Sequence, residues 1–250
     1  MNRDNIEKML IILGIICLWV YLSGIGQLVF QNTDHTARNG IFNMLVEYDW
    51  PVYGTAKDGS SVGLIYYIGY WLPSAVIGKL FGLRVGYWSQ DIWAVAGILL
   101  VYYFICAHAK KLEIWPLIIM ILFSGLDYAG YYLLGTDMSS ISSTMHLEWW
   151  DNPYQFSSIT TQLFWVFNQC IPAWVATSLI INLKDNRSII VVWAATMLSS
   201  TFAFVGLLPI IMYYMLTRKY PAGGKWISAF WKDTVTPENV VGGRILGIVS

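Results

Sequence analysis

The strongest constraint on this chain is a series of apolar runs, each about as long as a lipid bilayer is thick. The first occupies residues 9–30, and an α-helix needs about 20 apolar residues to cross the hydrocarbon core. Similar runs follow at 62–83, 88–109, 114–134, 157–183 and 188–216. Because these runs are continuous, the sequence predicts an all-α fold, namely a polytopic helical membrane protein that passes the cell membrane several times.

The composition agrees with a membrane protein. Only 12% of the residues are charged, about half the share found in a typical soluble domain. The formal net charge is zero, so no basic surface points to a nucleic-acid partner. The three cysteines, Cys17, Cys106 and Cys170, lie inside apolar runs without neighbours at metal-ligand spacing. We therefore interpret them as small buried hydrophobic residues.

Positive charges predict the orientation of the first apolar run. Arg3 and Lys8 precede that run, and cytoplasmic loops carry an excess of Lys and Arg. The amino terminus is therefore expected in the cytoplasm, and residues 31–61 are expected to form a first external loop.

The second apolar run, 62–83, is predicted not to cross the membrane. If it crossed, Lys110 and Lys111 would fall on the outer side, against the positive-inside rule. If it lies in the outer interface as a juxtamembrane or re-entrant helix, this lysine pair becomes cytoplasmic and residues 135–156 become a second external loop. The alternative is an ordinary span kinked at Pro73.

These boundaries divide the chain into two parts. Residues 1–216 form the predicted transmembrane domain, and its last run is interpreted as a tight pair of short helices or as one tilted span. Residues 217–250 form a basic polar tail that leads into a further apolar segment. We expect the chain to be a fragment of a longer protein or a naturally short version.

The first external loop concentrates ionisable side chains directly after the first apolar run. Asp34 and His35 lie close behind that run, Arg38 comes next, and Lys57 lies further along. The Asp34 carboxylate is therefore expected at the height of the membrane surface.

Two sequence motifs follow the first apolar run in a fixed order. Residues 34–53 read DHTARNGIFNMLVEYDWPVY, and residues 64–82 read LIYYIGYWLPSAVIGKLFG. The order of an early acidic residue, a Met, an Asp-Trp pair and an aromatic segment resembles the aminoarabinose and mannosyl transferase branches of the GT-C superfamily of membrane glycosyltransferases. His35 stands where those branches usually have a second acidic residue. The resemblance covers about residues 9–134, and the whole chain has about half the spans of such an enzyme.

The resemblance implies the transfer of a sugar from a polyprenyl phosphate to an envelope lipid, glycan or protein on the outer face of the membrane. In such an enzyme Asp34 would be the catalytic base that accepts the proton of the acceptor hydroxyl. Arg38 and Lys57 would contact the leaving phosphate, which needs cationic or hydrogen-bonding partners. His35 would help to position the acceptor, or it is an ordinary loop histidine. No organic cofactor is implied, and a divalent metal is left open.

Three further residues are predicted to bind substrate. Tyr67 and Trp71 lie four residues apart, hence on one face of a helix, and we expect this face to contact a lipid or prenyl chain. Asp127 lies within the fourth apolar run, where a carboxylate is a functional candidate. The alternative for Asp127 is a helix cap near the outer surface.

Other polar residues have simpler interpretations. His146 and Glu148 lie in the second external loop, but two such side chains are weak grounds for a metal site, so no metal ligands are predicted. Asn168 and Gln169 lie in the fifth apolar run, where polar side chains commonly bond neighbouring helices. We favour that structural interpretation.

The alternative function is that of a non-catalytic membrane protein, either an accessory subunit of polysaccharide assembly or a transport component. A transporter more often carries buried charges along several spans or paired broken helices in two halves. Here the ionisable groups cluster in loops on one predicted side of the membrane, which favours chemistry at the interface. The expected partners are the lipid bilayer, a polyprenyl-phosphate sugar and a partner chain that supplies the missing spans.

Overall fold

The computed structural model describes residues 3–123, 127–135, 148, 157–217 and 231–249. These residues are mostly helical, with one antiparallel hairpin. The helices are α1 (Arg3–Leu22), α2 (Thr33–Glu47), α3 (Leu72–Phe81), α4 (Leu83–Ala109), α5 (Trp115–Leu122), α6 (Asp127–Leu134), α7 (Ile159–Asn182), α8 (Ile189–Met197), α9 (Thr201–Thr217) and α10 (Pro237–Val249). The hairpin strands are β1 (Tyr53–Thr55) and β2 (Ser61–Gly63), and a 3₁₀ turn spans Ile25–Gln27.

Three of the described helices, α1, α4 and α7, are long and apolar enough to cross a membrane, with 20, 27 and 24 residues. At 1.5 Å per residue the shortest extends about 30 Å, the thickness of the hydrocarbon core. In their most apolar stretches only 22%, 22% and 33% of the residues are buried inside the protein. Most of their apolar surface therefore faces outward, as expected of helices in contact with lipid.

The core lies where α4 packs against α1 and α7. Ile98 of α4 is fully buried. Gly97 permits the close approach of the two longest helices, because a Cβ there would lie 2.5 Å from Cγ2 of Ile171. Trp19 of α1 stacks on Trp174 of α7, with ring centroids 6.2 Å apart. The three long helices thus share one apolar core.

The helix predicted over 62–83 is wrong in its extent. Residues 61–63 pair as β2, residues 64–71 are irregular, and only α3 is helical. Pro73 accounts for this start, because it lies in the first turn of α3, where its missing N–H breaks no helical hydrogen bond. With ten residues, α3 extends about 15 Å, which is too short for a span. Its position in the outer interface stays a prediction.

Gly78, Gly82 and Gly86 allow α3 and α4 to form a tight helical hairpin. Gly82, with a φ of 96°, separates the two helices. Gly78 of α3 faces Gly86 of α4, and a Cβ on Gly86 would lie 2.9 Å from the Gly78 Cα and 3.0 Å from the Phe42 ring. Glycine is therefore required where α2, α3 and α4 meet.

The first external loop contains a helix, α2, that hydropathy does not reveal. Asn32 caps it, because its side-chain oxygen accepts a hydrogen bond from the Asp34 N–H at 3.0 Å. The buried face of α2 consists of residues spaced three or four apart, namely His35, Arg38, Phe42 and Leu45. Because two of these four residues are ionisable, the face does not appear as an apolar stripe.

Two later apolar runs form helix pairs rather than single helices. The run at 114–134 gives the eight-residue helices α5 and α6, with 124–126 outside the described residues. The run at 188–216 gives α8 and α9, as the interpretation of a helix pair predicted. Trp193 of α8 stacks on Phe204 of α9 with centroids 4.4 Å apart, and its indole N–H donates to the Phe204 carbonyl oxygen at 2.8 Å.

The predicted tail and second external loop are described only in part. Residues 136–147, 149–156 and 218–230 lie outside the described residues, so nothing is said of His146. The apolar segment predicted at the end of the tail corresponds to α10, which packs against α8. Gly242 permits this contact, because a Cβ there would lie 2.7 Å from the Val191 Cα.

Candidate functional site

Helix α2 brings two of the predicted site residues together. Asp34 and Arg38 lie one helical turn apart, so their side chains meet on the same face. Arg38 Nη1 lies 3.1 Å from Asp34 Oδ2. The Arg38 side chain is 8% exposed and the Asp34 side chain 46% exposed. The Asp34 carboxylate is therefore accessible at the protein surface, while the Arg38 side chain that pairs with it is buried.

A second contact fixes the Arg38 guanidinium from the side of α7. Arg38 Nε donates to Asn168 Oδ1 at 3.1 Å. Asn168 is completely buried, and its side-chain amide nitrogen has no hydrogen-bond partner among the described residues. Leaving such a donor unpaired costs about 1–3 kcal/mol. The Asn168 side chain therefore holds Arg38 at a cost to stability.

His35 is buried beside the ion pair, and both of its ring nitrogens make hydrogen bonds. Its Nε2 donates to the Phe164 carbonyl oxygen at 3.0 Å, and its Nδ1 accepts from the Gln31 amide at 3.2 Å. Burial lowers the pKa of His35 from its ordinary value of 6.5, so the ring is neutral at physiological pH. Its ring also stacks on Phe167, with centroids 5.5 Å apart. These contacts hold α2 on α7 and leave no ring nitrogen for the predicted acceptor contact.

A pair of tyrosines from the irregular segment 64–71 lies within electrostatic reach of the ion pair. Tyr66 donates its hydroxyl proton to the Tyr67 hydroxyl oxygen at 3.0 Å, and the two ring centroids are 3.9 Å apart. Burial, with the hydrogen bond to Tyr67, raises the pKa of Tyr66 to about 12, and the charges of Arg38 and Asp34 act on it as well. Tyr67 accepts from Gln169 and Arg38 donates to Asn168, so the two pairs bond consecutive residues of α7.

The helical face predicted for Tyr67 and Trp71 is wrong. Residues 64–71 are irregular, so the four-residue spacing does not place the two side chains side by side. Trp71 is completely buried and packs edge-on against Phe167, with centroids 6.4 Å apart. Trp71 is therefore a core residue, whereas Tyr67 stays close to the charged cluster.

Lys57 and Asp127 are not brought to this cluster by any contact that the structure describes. Lys57 is exposed at the turn of the β1–β2 hairpin. Asp127 is the first residue of α6, and its side chain lies outside the described part of the chain. Lys79, another cation near the segment, donates to the Tyr48 carbonyl oxygen and lies 5.6 Å from the centroid of Trp50. Phosphate contacts by Lys57 and a role of Asp127 stay predictions.

An apolar groove of about 400 Å³ runs between α4, α7 and α8. Its apolar walls include Tyr70, Trp93, Leu100, Pro172, Leu179 and Val192. Gly69 and Ser199 also line it. Gly69 lies two residues after Tyr67, and Ser199 directly precedes Ser200, which is linked to Tyr67 through Gln169. The groove therefore lies near the residues that bond Tyr67, whereas Asp34 and Arg38 are not among its lining residues. Sequence periodicity missed it, because it is formed by helices far apart in the chain.

Asp91 is a buried carboxyl group that the sequence reasoning also missed. It lies in α4 against Gly26, whose φ is 77°, and a Cβ on that glycine would overlap the Asp91 carboxyl group. Neither carboxyl oxygen has a hydrogen-bond partner among the described residues. The position of Asp91 inside the apolar run at 88–109 could have identified it from the sequence, because a carboxylate within a predicted span is a functional candidate.

The candidate site combines an accessible carboxylate, a buried guanidinium and a pair of phenols. Among the described residues no three His, Cys, Asp or Glu side chains come close enough to share a metal ion. No protein-family model matches the chain, and neither does any curated protein or solved structure. Chemically, these groups can take a proton and bind an anionic oxygen.

Proposed function

We propose that this chain is a multi-pass protein of the cell membrane that transfers a sugar from a polyprenyl phosphate to an envelope lipid, glycan or protein on the outer face. It does so alone or with a partner chain that supplies further spans. The observation that carries the proposal is the Asp34–Arg38 pair, a half-exposed carboxylate held by a buried cation, in a protein that also has an apolar groove between its helices. A lipid-linked phosphate needs both a cation for its head and an apolar surface for its chain.

The proposal places α1, α4 and α7 across the bilayer and the first external loop at its outer surface. In this orientation α2, the hairpin and α3 lie at the height of the lipid headgroups. Leu80 and Phe81 at the end of α3 are strongly exposed, at 69% and 68%. Apolar side chains exposed on a short helix suit the boundary between headgroups and acyl chains.

Asp34 acts as the general base in this reaction. As the acceptor hydroxyl oxygen attacks the anomeric carbon, the Asp34 carboxylate takes the hydroxyl proton. The bond between the anomeric carbon and the phosphate oxygen breaks, and its electron pair leaves with the polyprenyl phosphate. The ion pair with Arg38 holds the carboxylate in place for this transfer.

Arg38 stabilises the phosphate that leaves. A guanidinium has five N–H groups, and the contacts with Asp34 and Asn168 use Nη1 and Nε. Among the described residues no hydrogen bond or ion pair engages the N–H groups on Nη2, so they can donate to a phosphate oxygen, and a charge-assisted bond of this kind is about twice as strong as a neutral one. The groove of about 400 Å³ receives part of the prenyl chain.

The test is the exchange of Asp34 for Asn in a transfer assay. The purified chain in lipid vesicles receives a radiolabelled polyprenyl-phosphate sugar together with membrane acceptors, and label transfer is measured. Asp34→Asn keeps the shape and removes the base, so we expect transfer to fall about 100-fold or more. Glu47→Gln, at the exposed end of the same helix, is the matched control and should keep full activity.

Near-full transfer by Asp34→Asn would remove this residue from the mechanism. The contacts of His35 and Asn32 with the Phe164 carbonyl oxygen would then define the cluster as a structural link between α2 and α7. That result would favour the second candidate, an accessory subunit of polysaccharide assembly or a transport component.

A further inference from the structure

The hydroxyl group of Tyr67 has more hydrogen-bonding capacity than the protein uses. A phenol offers one proton and two lone pairs. The Tyr67 oxygen accepts one hydrogen bond from the Tyr66 hydroxyl at 3.0 Å and another from the Gln169 amide at 2.8 Å. Both lone pairs are therefore occupied, and no acceptor among the described residues takes the Tyr67 proton.

Gln169 presents its amide N–H to Tyr67 because its own oxygen is engaged elsewhere. Gln169 Oε1 accepts from the Ser200 hydroxyl at 3.4 Å, and Ser200 Oγ in turn accepts from the Ala203 N–H at 3.1 Å. This chain of bonds starts at the first turn of α9 and ends at Tyr67. A hydroxyl that accepts two hydrogen bonds is a stronger donor, since bonds in a chain polarise one another.

The Tyr67 hydroxyl and the Arg38 guanidinium bond consecutive residues of α7, because Gln169 donates to Tyr67 at 2.8 Å and Asn168 accepts from Arg38 at 3.1 Å. The ring centroid of Tyr66 lies 3.9 Å from that of Tyr67, and Tyr66 is within electrostatic reach of both Arg38 and Asp34. Because burial raises the pKa of Tyr66 to about 12, Tyr66 stays protonated at neutral pH and continues to donate to Tyr67. The proton of Tyr67 therefore lies at the same part of α7 as a guanidinium that attracts anions.

We infer that the Tyr67 hydroxyl donates a hydrogen bond to a phosphate oxygen of the isoprenoid ligand, and that Gln169 positions it. This inference rests on the proposed function, and it assigns to Tyr67 a polar contact with the head of the ligand in place of an aromatic contact with its chain. The donor distinguishes a prenyl phosphate from the corresponding prenyl alcohol, because only the phosphate offers a charged acceptor beside Arg38.

Binding of three probes to the full chain in detergent micelles tests the inference. The probes are farnesyl phosphate, farnesol and inorganic phosphate, and dissociation constants are measured by native mass spectrometry or thermophoresis. We expect the wild type to bind farnesyl phosphate more tightly than farnesol. Tyr67→Phe should weaken farnesyl phosphate binding about tenfold or more, because a hydrogen bond to a charged group is lost, and should leave farnesol binding unchanged. Tyr103→Phe, an exposed tyrosine of α4, is the matched control.

Gln169→Met gives a second test that does not change the phenol. A methionine at this position cannot donate to Tyr67 and adds no charge, so the Tyr67 hydroxyl loses the contact that positions it. The ratio of farnesyl phosphate to farnesol affinity should therefore fall as it does in Tyr67→Phe. A merely structural role of Gln169 would weaken both probes alike.

The outcomes separate this inference from the proposed function. Unchanged farnesyl phosphate binding in both variants, with the wild-type preference for the phosphate intact, overturns the role of Tyr67 and leaves the proposed function standing. Equal binding of farnesyl phosphate and farnesol by the wild type overturns both. Inorganic phosphate that competes as well as farnesyl phosphate overturns the lipid-linked ligand in favour of free phosphate.

Discussion

Two buried asparagines lie in different polar clusters, Asn168 in the first half of α7 and Asn239 on α10. Both polar atoms of the Asn239 side chain have partners: the amide nitrogen donates to the carbonyl oxygens of Asn186 and Thr234, both at 2.7 Å, and the oxygen accepts from the Ile190 N–H at 3.0 Å. The Asn239 side chain therefore ties α10 to the loop before α8 and to the start of α8.

Asn168 is used only in part. Its oxygen accepts from Arg38 at 3.1 Å, and its amide nitrogen has no partner among the described residues. Every unpaired buried donor works against folding, so the Asn168 side chain contributes less to stability than the Asn239 side chain does. The difference between the two asparagines teaches that equally buried amides can differ widely in how completely their hydrogen bonds are satisfied.

The largest effect on stability is expected from Asn239→Leu. The leucine leaves the Thr234 carbonyl oxygen and the Ile190 N–H without their partner, while the Asn186 carbonyl oxygen keeps a bond from the Ile189 N–H at 3.3 Å. Each lost partner costs about 1–3 kcal/mol, so we expect the free energy of unfolding to fall by about 2 kcal/mol or more. Chemical unfolding in detergent measures this loss. Glu238→Gln, an exposed neighbour on α10, should change stability by less than about 0.5 kcal/mol. A loss below about 1 kcal/mol for Asn239→Leu would break the comparison from the structural side.

A smaller effect on stability is expected from Asn168→Leu. This exchange removes one bond to Arg38, but it also removes the unpaired amide, so the two changes partly cancel and the loss should be about 1 kcal/mol. The same unfolding experiment measures it. Binding of farnesyl phosphate should nevertheless weaken, because Arg38 loses the contact that fixes it. A stability loss equal to that of Asn239→Leu, with binding unchanged, would show that both asparagines are structural.

The smallest effect is a pH dependence confined to the cluster on α2. Burial holds the pKa of His35 below its ordinary value of 6.5, so the unfolded chain takes up the proton first as the pH falls. The stability that neutral His35 gives the folded state is therefore complete above about pH 6.5, and it is lost as the pH falls toward and through the lower pKa that His35 has in the folded state. We expect the hydrogen-exchange protection factors in α2, which are corrected for the intrinsic pH dependence of amide exchange, to fall between about pH 7 and pH 5, while those in α10 change less. His35→Gln should remove this difference, and an identical pH profile in that variant would assign the effect to another group.

The sequence reveals the long helices well and the site only in part. The runs at 88–109 and 157–183 correspond closely to α4 and α7, because apolar length is a direct physical requirement of a helix in lipid. Apolar length does not reveal helix α2, because the ionisable residues His35 and Arg38 lie on its buried face. Once α2 is known, the four-residue spacing of Asp34 and Arg38 makes their contact predictable.

Contacts between distant parts of the chain were beyond pattern reasoning. The bond between Arg38 and Asn168 joins residues 130 positions apart, and no local periodicity encodes such a pair. Trp71 was assigned to the surface because its aromatic neighbours suit the headgroup region, yet Pro73 starts the helix after it and leaves Trp71 in the core. The groove arises from the same kind of long-range packing.

The glycine contact between α3 and α4 has a mechanical consequence. At Gly78 and Gly86 the two backbones touch with no side chain between them, so α3 cannot slide or rotate on α4 without a clash. Membranes of different thickness change the tilt of a spanning helix. If α4 spans the bilayer, a change in its tilt moves α3 with it, and with α3 the segment 64–71 that carries Tyr67. The reach of the Tyr67 hydroxyl toward the headgroups would then follow the thickness of the surrounding bilayer.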